Sequence, residues 1–324
     1  MAARQQAAPY GPLEIVDLRL LAARDLEPLL QEESATWRED LEWDFEKSAD
    51  LVRRFVDLRA LNGAALVEDG EVAGYLYYVL EENKGLIGDL YVRRAWRTWE
   101  RERRLLEAGL EAIMASSSAA RIESQLMMLG WAAGNPLPFD HCLSAYERNF
   151  MRINLRVRAL PEGHVRKPMY IEKWSEHYQD AAAQLISTAY TRHIDSRIND
   201  QYRSAAGARR FLYNIVQYPG CGTFYRPASY VALEALTGQL CGVSLASMVA
   251  PECGHITQIC VSPGVRGTGI GHALLRKSLL TLRDTGCRSA SLTVTAANED
   301  AVMLYERVGF QTVRRFSALV WEGF

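Results

Sequence analysis

The stretch Arg266-Gly267-Thr268-Gly269-Ile270-Gly271 stands between a segment patterned as a strand and one patterned as a helix. No other part of the chain constrains the fold as much. His255-Ile256-Thr257-Gln258-Ile259-Cys260-Val261 precedes it, and its loose alternation and β-branched residues predict a strand. After it, Leu274, Leu275, Leu279 and Leu282 recur at helical spacing and form one apolar face. A glycine-rich loop at a helix start offers backbone N–H groups and the positive end of the helix dipole, which together suit a phosphate. Gly269 and Gly271 lack the Cβ that would keep the main chain away from such a group.

Two common phosphate loops are excluded. No Gly-Lys-Ser/Thr closes the stretch, so it is not the loop of the nucleotide hydrolases. A dinucleotide fold fits poorly as well. Three strands precede the loop in its own half, and no acidic residue closes the next strand at Leu292-Thr293-Val294-Thr295.

Asn298 follows that strand, and Ala301, Leu304 and Tyr305 lie on a short amphipathic helix that ends at Gly309 before Phe310. The series Val261, Arg266-x-x-Gly269-x-Gly271, Asn298, Leu304-Tyr305-Glu306 and Gly309-Phe310 resembles the acyl-CoA-binding core of the GCN5-related N-acetyltransferases. At motif level the resemblance is confined to the second half of the chain. The order of elements is similar in both halves.

The first half repeats the second. Ile87-Gly88-Asp89-Leu90-Tyr91-Val92 aligns with Ile256-Thr257-Gln258-Ile259-Cys260-Val261, and without a gap Arg97 falls on Arg266 and Leu105-Leu106 on Leu274-Leu275. After a shift of about ten residues, attributed to a loop around Gly130–Pro138, Ala145-Tyr146-Glu147-Arg148 and Phe150 echo Leu304-Tyr305-Glu306-Arg307 and Phe310. The expected fold is α/β (α+β), two tandem domains each with a mixed, mostly antiparallel sheet flanked by helices. Residues 1–163 form the first and 164–324 the second, joined near Pro161-Glu162-Gly163-His164.

In the first half the patterns predict a strand at Glu14–Leu21, helices at Arg24–Thr36 and Ala49–Leu58, and a hairpin of Ala64–Glu68 with Val72–Leu80. Gly85–Val92, a long helix from Trp96 to Met114 and a strand at Arg121–Met127 follow. The second half predicts a strand at Met169–Trp174, helices at Gln179–Tyr190 and Ala205–Gln217, and a hairpin of Tyr230–Leu236 with Leu240–Val249. Strands at Ser289–Thr295, Phe310–Arg315 and Ser317–Trp321 complete it.

Where the second half has Gly269 and Gly271, the first has Glu100 and Glu102. Two carboxylates facing a pyrophosphate would cost about 1 kcal/mol each at about 4 Å even with water-like screening. The first copy is therefore expected not to bind CoA, with Trp96 and Trp99 serving as packing residues.

Composition removes other classes. The 324 residues carry 37 basic against 39 acidic side chains, so no global field points to nucleic acid. The basic runs Arg101–Arg104 and Arg152–Lys167 are broken by acids or apolar residues and read as solvated faces. Six cysteines at 142, 221, 241, 253, 260 and 287 lack CxxC spacing, which argues against a metal site or a disulfide framework. Met1–Gln6 leads into no apolar run, and nothing reaches membrane-spanning length, so a cytoplasmic protein without membrane partners is expected.

The resemblance implies acetyl-CoA as co-substrate and no metal. It implies that pantetheine pairs with the strand Ile259–Val261, that Arg266, Gly267, Thr268, Gly269, Ile270 and Gly271 hold the pyrophosphate, and that Asn298 touches the cofactor arm. An N-cap of the following helix is the other reading of Asn298. Tyr305 matches the family's motif tyrosine, a phenol able to protonate a departing thiolate, or else is a core residue. Cys260 reads as a buried strand residue rather than a nucleophile. His255, six residues before Val261, stands where several family members carry a base; a surface histidine is the alternative, and Glu252 is a fallback base. Asp195 and Asp200, in the stretch from Tyr190 to Asp200, either bind an amine or cap a polar turn.

The expectation is transfer of an acetyl group from acetyl-CoA to an amine of a small molecule, at one site in the second half. A catalytically silent acyl-CoA sensor and a protein or peptide acetyltransferase are the alternatives. Tandem members of the family share the two-copy layout. The acceptor, the acyl length and homodimer formation are left open by the sequence.

Overall fold

The computed structural model describes residues 13–116, 118–131, 134–157, 159–218 and 220–324. The reading of Met1–Gln6 lies outside these residues.

Strand β1 (Glu14–Asp17) leads to helices α1 (Ala23–Leu41) and α2 (Glu46–Asp57) and strands β2 (Asn62–Glu68), β3 (Glu71–Glu81) and β4 (Lys84–Val92). Helix α3 (Trp99–Met114) and strands β5 (Arg121–Gln125) and β6 (Leu143–Asn154) follow. The chain continues with β7 (Met169–Lys173), α4 (Gln179–Ala189), α5 (Asp195–Ile198), α6 (Ala205–Gln217), β8 (Thr223–Phe224) and β9 (Tyr230–Glu234). Then come β10 (Leu240–Ala250), β11 (Cys253–Val261), α7 (Ile270–Asp284), β12 (Ser289–Thr295), α8 (Glu299–Val308) and β13 (Gln311–Glu322).

These elements divide into two compact units. One comprises the described residues up to Thr36, Glu46–Ala145 and Ser317–Phe324; the other comprises Trp37–Phe45 and Tyr146–Phe316.

In the first unit the strands run β1-β2-β3-β4-β5, and Ala318–Glu322 of β13 lie antiparallel on β5. Among the described strands of this unit, β4 and β5 alone pair in parallel, with α3 as their crossover. The core lies between that helix and the sheet: Leu105, Leu106, Leu110 and Ile113 are fully buried against Leu66, Leu76, Ile87 and Ile122. Trp321 completes it, fully buried, its indole N–H donating to the Pro138 carbonyl at 2.9 Å.

In the second unit the order is β6-β12-β11-β10-β9-β7, with β8 on β10. Again one pair is parallel, β11 with β12, and α7 is the crossover. Leu275, Leu279 and Leu282 pack on Leu292, Val294, Tyr305 and Phe310. The predicted stripe on α7 is thus the buried one. Burying each such side chain stabilises the fold by roughly 1.5–3 kcal/mol.

The repeat extends to register. Along β4 the antiparallel ladder with β3 skips Gly88, and along β11 the ladder with β10 skips Thr257, the residue aligned with Gly88. The parallel ladders stop at equivalent places, Ile87 with Ser124 and Ile256 with Leu292.

Several local expectations need correction. Ala145–Phe150 is not a counterpart of the Tyr305 helix: it lies in β6, whose Arg148–Asn154 pairs antiparallel with Ser289–Thr295. Burial of Asn149, Phe150 and Met151 between neighbours outweighs the short motif match. The strand at Glu14 ends at Asp17, whose carboxylate caps a following 3-10 turn. The helix expected from Trp96 begins at Trp99, because Thr98 is its N-cap. The two strands expected at Phe310–Arg315 and Ser317–Trp321 are one.

Candidate active site

The site is built where β11 and β12 part. Their ladder ends at Ile256 and Leu292, while β11 continues to Val261 paired, among the described strands, with β10 alone. The β12-facing edge of Ile259–Val261 therefore opens on a cavity of about 750 Å³. That size suits a cofactor-sized ligand. Ile259, Cys260 and Val261 line one side, the loop Arg266–Gly271 one end, and Asn298, Leu304 and Tyr305 the α8 side.

Within the glycine loop the residues have separate tasks. Gly267 and Gly269 adopt positive φ of 73° and 89°, which delays the start of α7 to Ile270. In the aligned first half, α3 already begins at Trp99, the counterpart of Thr268. The second half thus leaves two residues of helix unwound. No side chain caps α7, whereas Thr98 caps α3 by accepting the Arg101 N–H at 3.3 Å. Thr268 Oγ1 donates to the Val265 carbonyl at 2.6 Å and closes the turn. The Arg266 guanidinium donates to the Ala189 carbonyl at 2.6 Å, tying the loop to the C-terminus of α4.

The glycines differ in what surrounds them. A Cβ on Gly269 would lie 2.2 Å from the His164 carbonyl oxygen. A Cβ on Gly267 would meet nothing within 4 Å, and one on Gly271 would meet only Val261 Cγ1 at 3.8 Å. The chain's own backbone occupies the space beside Gly269. The open space lies beside Gly267 and Gly271. A cradle open there, lined by uncapped N–H groups, fits a phosphate.

Tyr305 is 7% exposed and lines the cavity. Burial, then the nearby Asp195 and Cys260, push its phenol well above the ordinary value, so it stays protonated. Asn298 precedes α8 as its N-cap residue, but its side chain makes no capping hydrogen bond; the residue lines the cavity. Cys260 is in the wall, its thiol pushed up to about 12 by burial. That leaves it a thiol rather than a thiolate.

His255 is elsewhere. It is 5% exposed, is not in the cavity lining, and pairs through Nδ1 with Ser291 Oγ at 2.9 Å. Trp43 and Phe150 flank its ring at 5.0 and 6.3 Å. Burial drives its pKa down to about 3. Glu252 is also outside, accepting from Arg288 Nε at 2.7 Å.

Asp195 lies behind the wall rather than on it. It accepts a short hydrogen bond from Thr295 Oγ1 and faces Arg148 at 3.7 Å and His193 at 3.6 Å. Asp200 opens a 3-10 turn away from the lining. From that stretch the wall takes Tyr190 and His193 instead. Gln258 donates to the Tyr190 hydroxyl at 3.0 Å and accepts from Tyr202 at 3.3 Å, fixing the stacked tyrosines. The Asp195 N–H donates to His193 Nδ1 at 3.2 Å, which places the neutral ring's proton on Nε2. No sequence pattern singles out His193, because its neighbours on the wall come from distant strands. Among the described residues no cluster of metal-ligating side chains occurs, and no helix is long and apolar enough to cross a membrane.

At the equivalent place in the first unit a glutamate stands where the second has Gly271. Glu102 is 1% exposed and turned inward, accepting the Gly130 N–H at 3.0 Å and facing Arg97 at 3.5 Å. Glu100 points to solvent beside Arg103.

Comparison with known proteins bears on the same region. Residues 191–310, just over a third of the chain, match the acetyltransferase (GNAT) family. A mycothiol acetyltransferase of Propionibacterium freudenreichii is 32% identical over 93 residues, 28% of this chain and 30% of that protein. One of Streptomyces avermitilis is 37% identical over 90 residues, 28% of this chain and 29% of that protein. The matches thus span under a third of these relatives' lengths. Among solved structures, a GCN5-related N-acetyltransferase from Sphaerobacter thermophilus superposes with a TM-score of 0.69 at 19% identity, covering 96% of this chain and 95% of that one. A tandem GNAT protein from the clavulanic acid biosynthesis pathway gives 0.58 at 17% identity, covering 96% and 98%. The fold is that of these acetyltransferases, a mixed sheet flanked by helices in each unit.

Proposed function

We propose that the chain is an acyl-CoA-dependent N-acyltransferase that moves an acetyl group from acetyl-CoA to an amine of a small molecule, at one site in the second unit. One observation carries this reading. The uncapped start of α7 and the β12-facing edge of β11 open on the same cavity as Tyr305. The match of residues 191–310 to the acetyltransferase family supports it.

Acetyl-CoA supplies an activated thioester. The N–H groups at Gly267–Gly271 would hold its pyrophosphate, and the edge of Ile259–Val261 would pair with its arm as an added strand does. A backbone N–H on that edge would polarise the carbonyl under attack. Tyr305, kept protonated by burial, would donate a hydrogen bond to the sulfur as charge develops there. A phenol held this far above a thiol's pKa is a better hydrogen-bond donor than proton donor, so as the C–N bond forms and the C–S bond breaks the proton lost by the amine would reach the departing thiolate through solvent, giving amide and free CoA thiol. His193, not His255, is the imidazole that lines the cavity, and with Nδ1 accepting from the Asp195 N–H its neutral ring would enter as an Nε2–H donor. The first unit, with Glu102 committed to Gly130 and Arg97, would hold no CoA and serve as scaffold.

The test is thiol release from acetyl-CoA over a panel of amines, aminoglycosides, amino acids and peptides, beside calorimetric binding of acetyl-CoA. Transfer to a small amine is expected. Binding without transfer to any member would favour a silent acyl-CoA sensor, and transfer confined to peptides would favour a protein acetyltransferase. Absence of binding would remove the donor site altogether.

A further inference from the structure

The segment Leu160–Lys167 reads as a linker in sequence. In the structure it is stitched onto the glycine loop. The His164 carbonyl oxygen packs where a Gly269 Cβ would be, and the Arg166 N–H donates to the Thr268 carbonyl at 2.9 Å. Lys167 Nζ donates to the Gly264 carbonyl at 3.4 Å. Arg276, on α7, reaches the Leu160 carbonyl and the Glu162 carboxylate, both at 3.4 Å. Gly163 lies so close to His272 that a Cβ there would be 2.1 Å from Nδ1. Pro161 through His164 line the same cavity as the loop, and Gly163 and His164 lie against His272 and Gly269 at the start of α7.

An ordinary linker crosses the surface with few contacts. This one fastens along one face of the α7 N-terminus, through Gly269, His272 and Arg276, and adds wall beside the phosphate cradle. We propose that residues 161–164 form a strap that contacts the donor beyond its pyrophosphate, at the nucleotide end, and makes the site selective for CoA thioesters over phosphopantetheine thioesters. The inference rests on the assignment of the cavity to acyl-CoA. Phosphopantetheine keeps the acyl group, the arm and one phosphate, so it can fill the β11 edge and the cradle but not reach the strap. Gly163 is the specificity-determining position, because only a residue without Cβ lets the strap lie against His272.

The experiment measures calorimetric dissociation constants of acetyl-CoA and acetyl-phosphopantetheine for the full chain and for Gly163→Val. The unaltered protein is expected to bind acetyl-CoA at least tenfold more tightly than the shorter donor. Gly163→Val should weaken acetyl-CoA by tenfold or more and leave acetyl-phosphopantetheine unchanged. The double variant Gly163→Val with His272→Ala, which makes room for the added methyl groups, should recover part of the loss. Equal binding of the two donors by the unaltered protein would overturn the strap without any variant. An equal loss for both donors in Gly163→Val, or no loss for either, would also overturn it. Binding of neither donor by the unaltered protein would instead overturn the acyl-CoA site itself.

Discussion

The His164 carbonyl oxygen and Gly269 Cα meet so closely that a Cβ on Gly269 would lie 2.2 Å from that oxygen. Gly269 is therefore required by the chain itself, before any ligand is considered. Its φ of 89° adds a second reason. Gly271 is the glycine free to report on anion binding.

Gly271→Glu is expected to leave thermal stability nearly unchanged, since its Cβ meets only Val261 Cγ1 at 3.8 Å, and a carboxylate suits a helix N-terminus. Acetyl-CoA affinity should fall by about tenfold or more from repulsion of the phosphates. Gly269→Ala should behave in the opposite sense, losing roughly 1–3 kcal/mol of stability through backbone strain. Calorimetric binding and thermal melts of both variants check this pair.

Tyr305→Phe removes one hydroxyl from the α8 side of the cavity. Acetyl-CoA binding should be retained, and turnover should fall by about tenfold to a hundredfold, the worth of a hydrogen bond to a charged sulfur. Steady-state kinetics with a responsive amine measures it, and unchanged turnover would leave Tyr305 a packing residue.

His255 is neutral in the folded protein, its pKa lowered from 6.5 to about 3 by burial. The unfolded chain binds this proton first, so the stabilisation is complete above pH 6.5 and is lost as pH falls toward 3. Between pH 7.5 and pH 5 the loss should be about 2 kcal/mol. His255→Gln should remove that slope in denaturant melts. Its turnover should keep the unaltered protein's pH profile, because the ring lies outside the cavity.

Asp89 in the first unit has the opposite sign. It is buried near Glu33, which accepts from the Tyr75 hydroxyl at 2.9 Å, and burial raises its pKa from 3.8 to about 6. The folded state keeps the proton longer than the unfolded chain, so stability falls as pH rises from about 4 to 6. This offsets the His255 slope over the same window. Asp89→Asn should expose the His255 slope, making stability rise more steeply with pH between 4 and 6 in denaturant melts.

The readable parts of the sequence were those governed by local periodicity. Helix α6 and strand β12 begin and end where expected, because capping by Ser204 and alternation of side chains act over a few residues. The ungapped alignment of Ile87 with Ile256 held down to the bulges at Gly88 and Thr257. The shifted match at Tyr146 failed, because four residues competed with β6 and its pairing to β12, a strand distant in the chain. Local motifs carry no information on such a partner.

The sequence by itself determined the strand, glycine turn and helix around Arg266–Gly271, and the repetition of that plan. Those follow from φ preferences and apolar spacing within about twenty residues. Only the tertiary structure decided that His255 is buried between Trp43 and Phe150, and that Asp195 holds Thr295 and faces His193 from behind the wall. It also decided that Pro161–His164 is a wall and not a tether. Burial and proximity depend on which strands become neighbours, and that is set by packing of the whole sheet rather than by any segment alone.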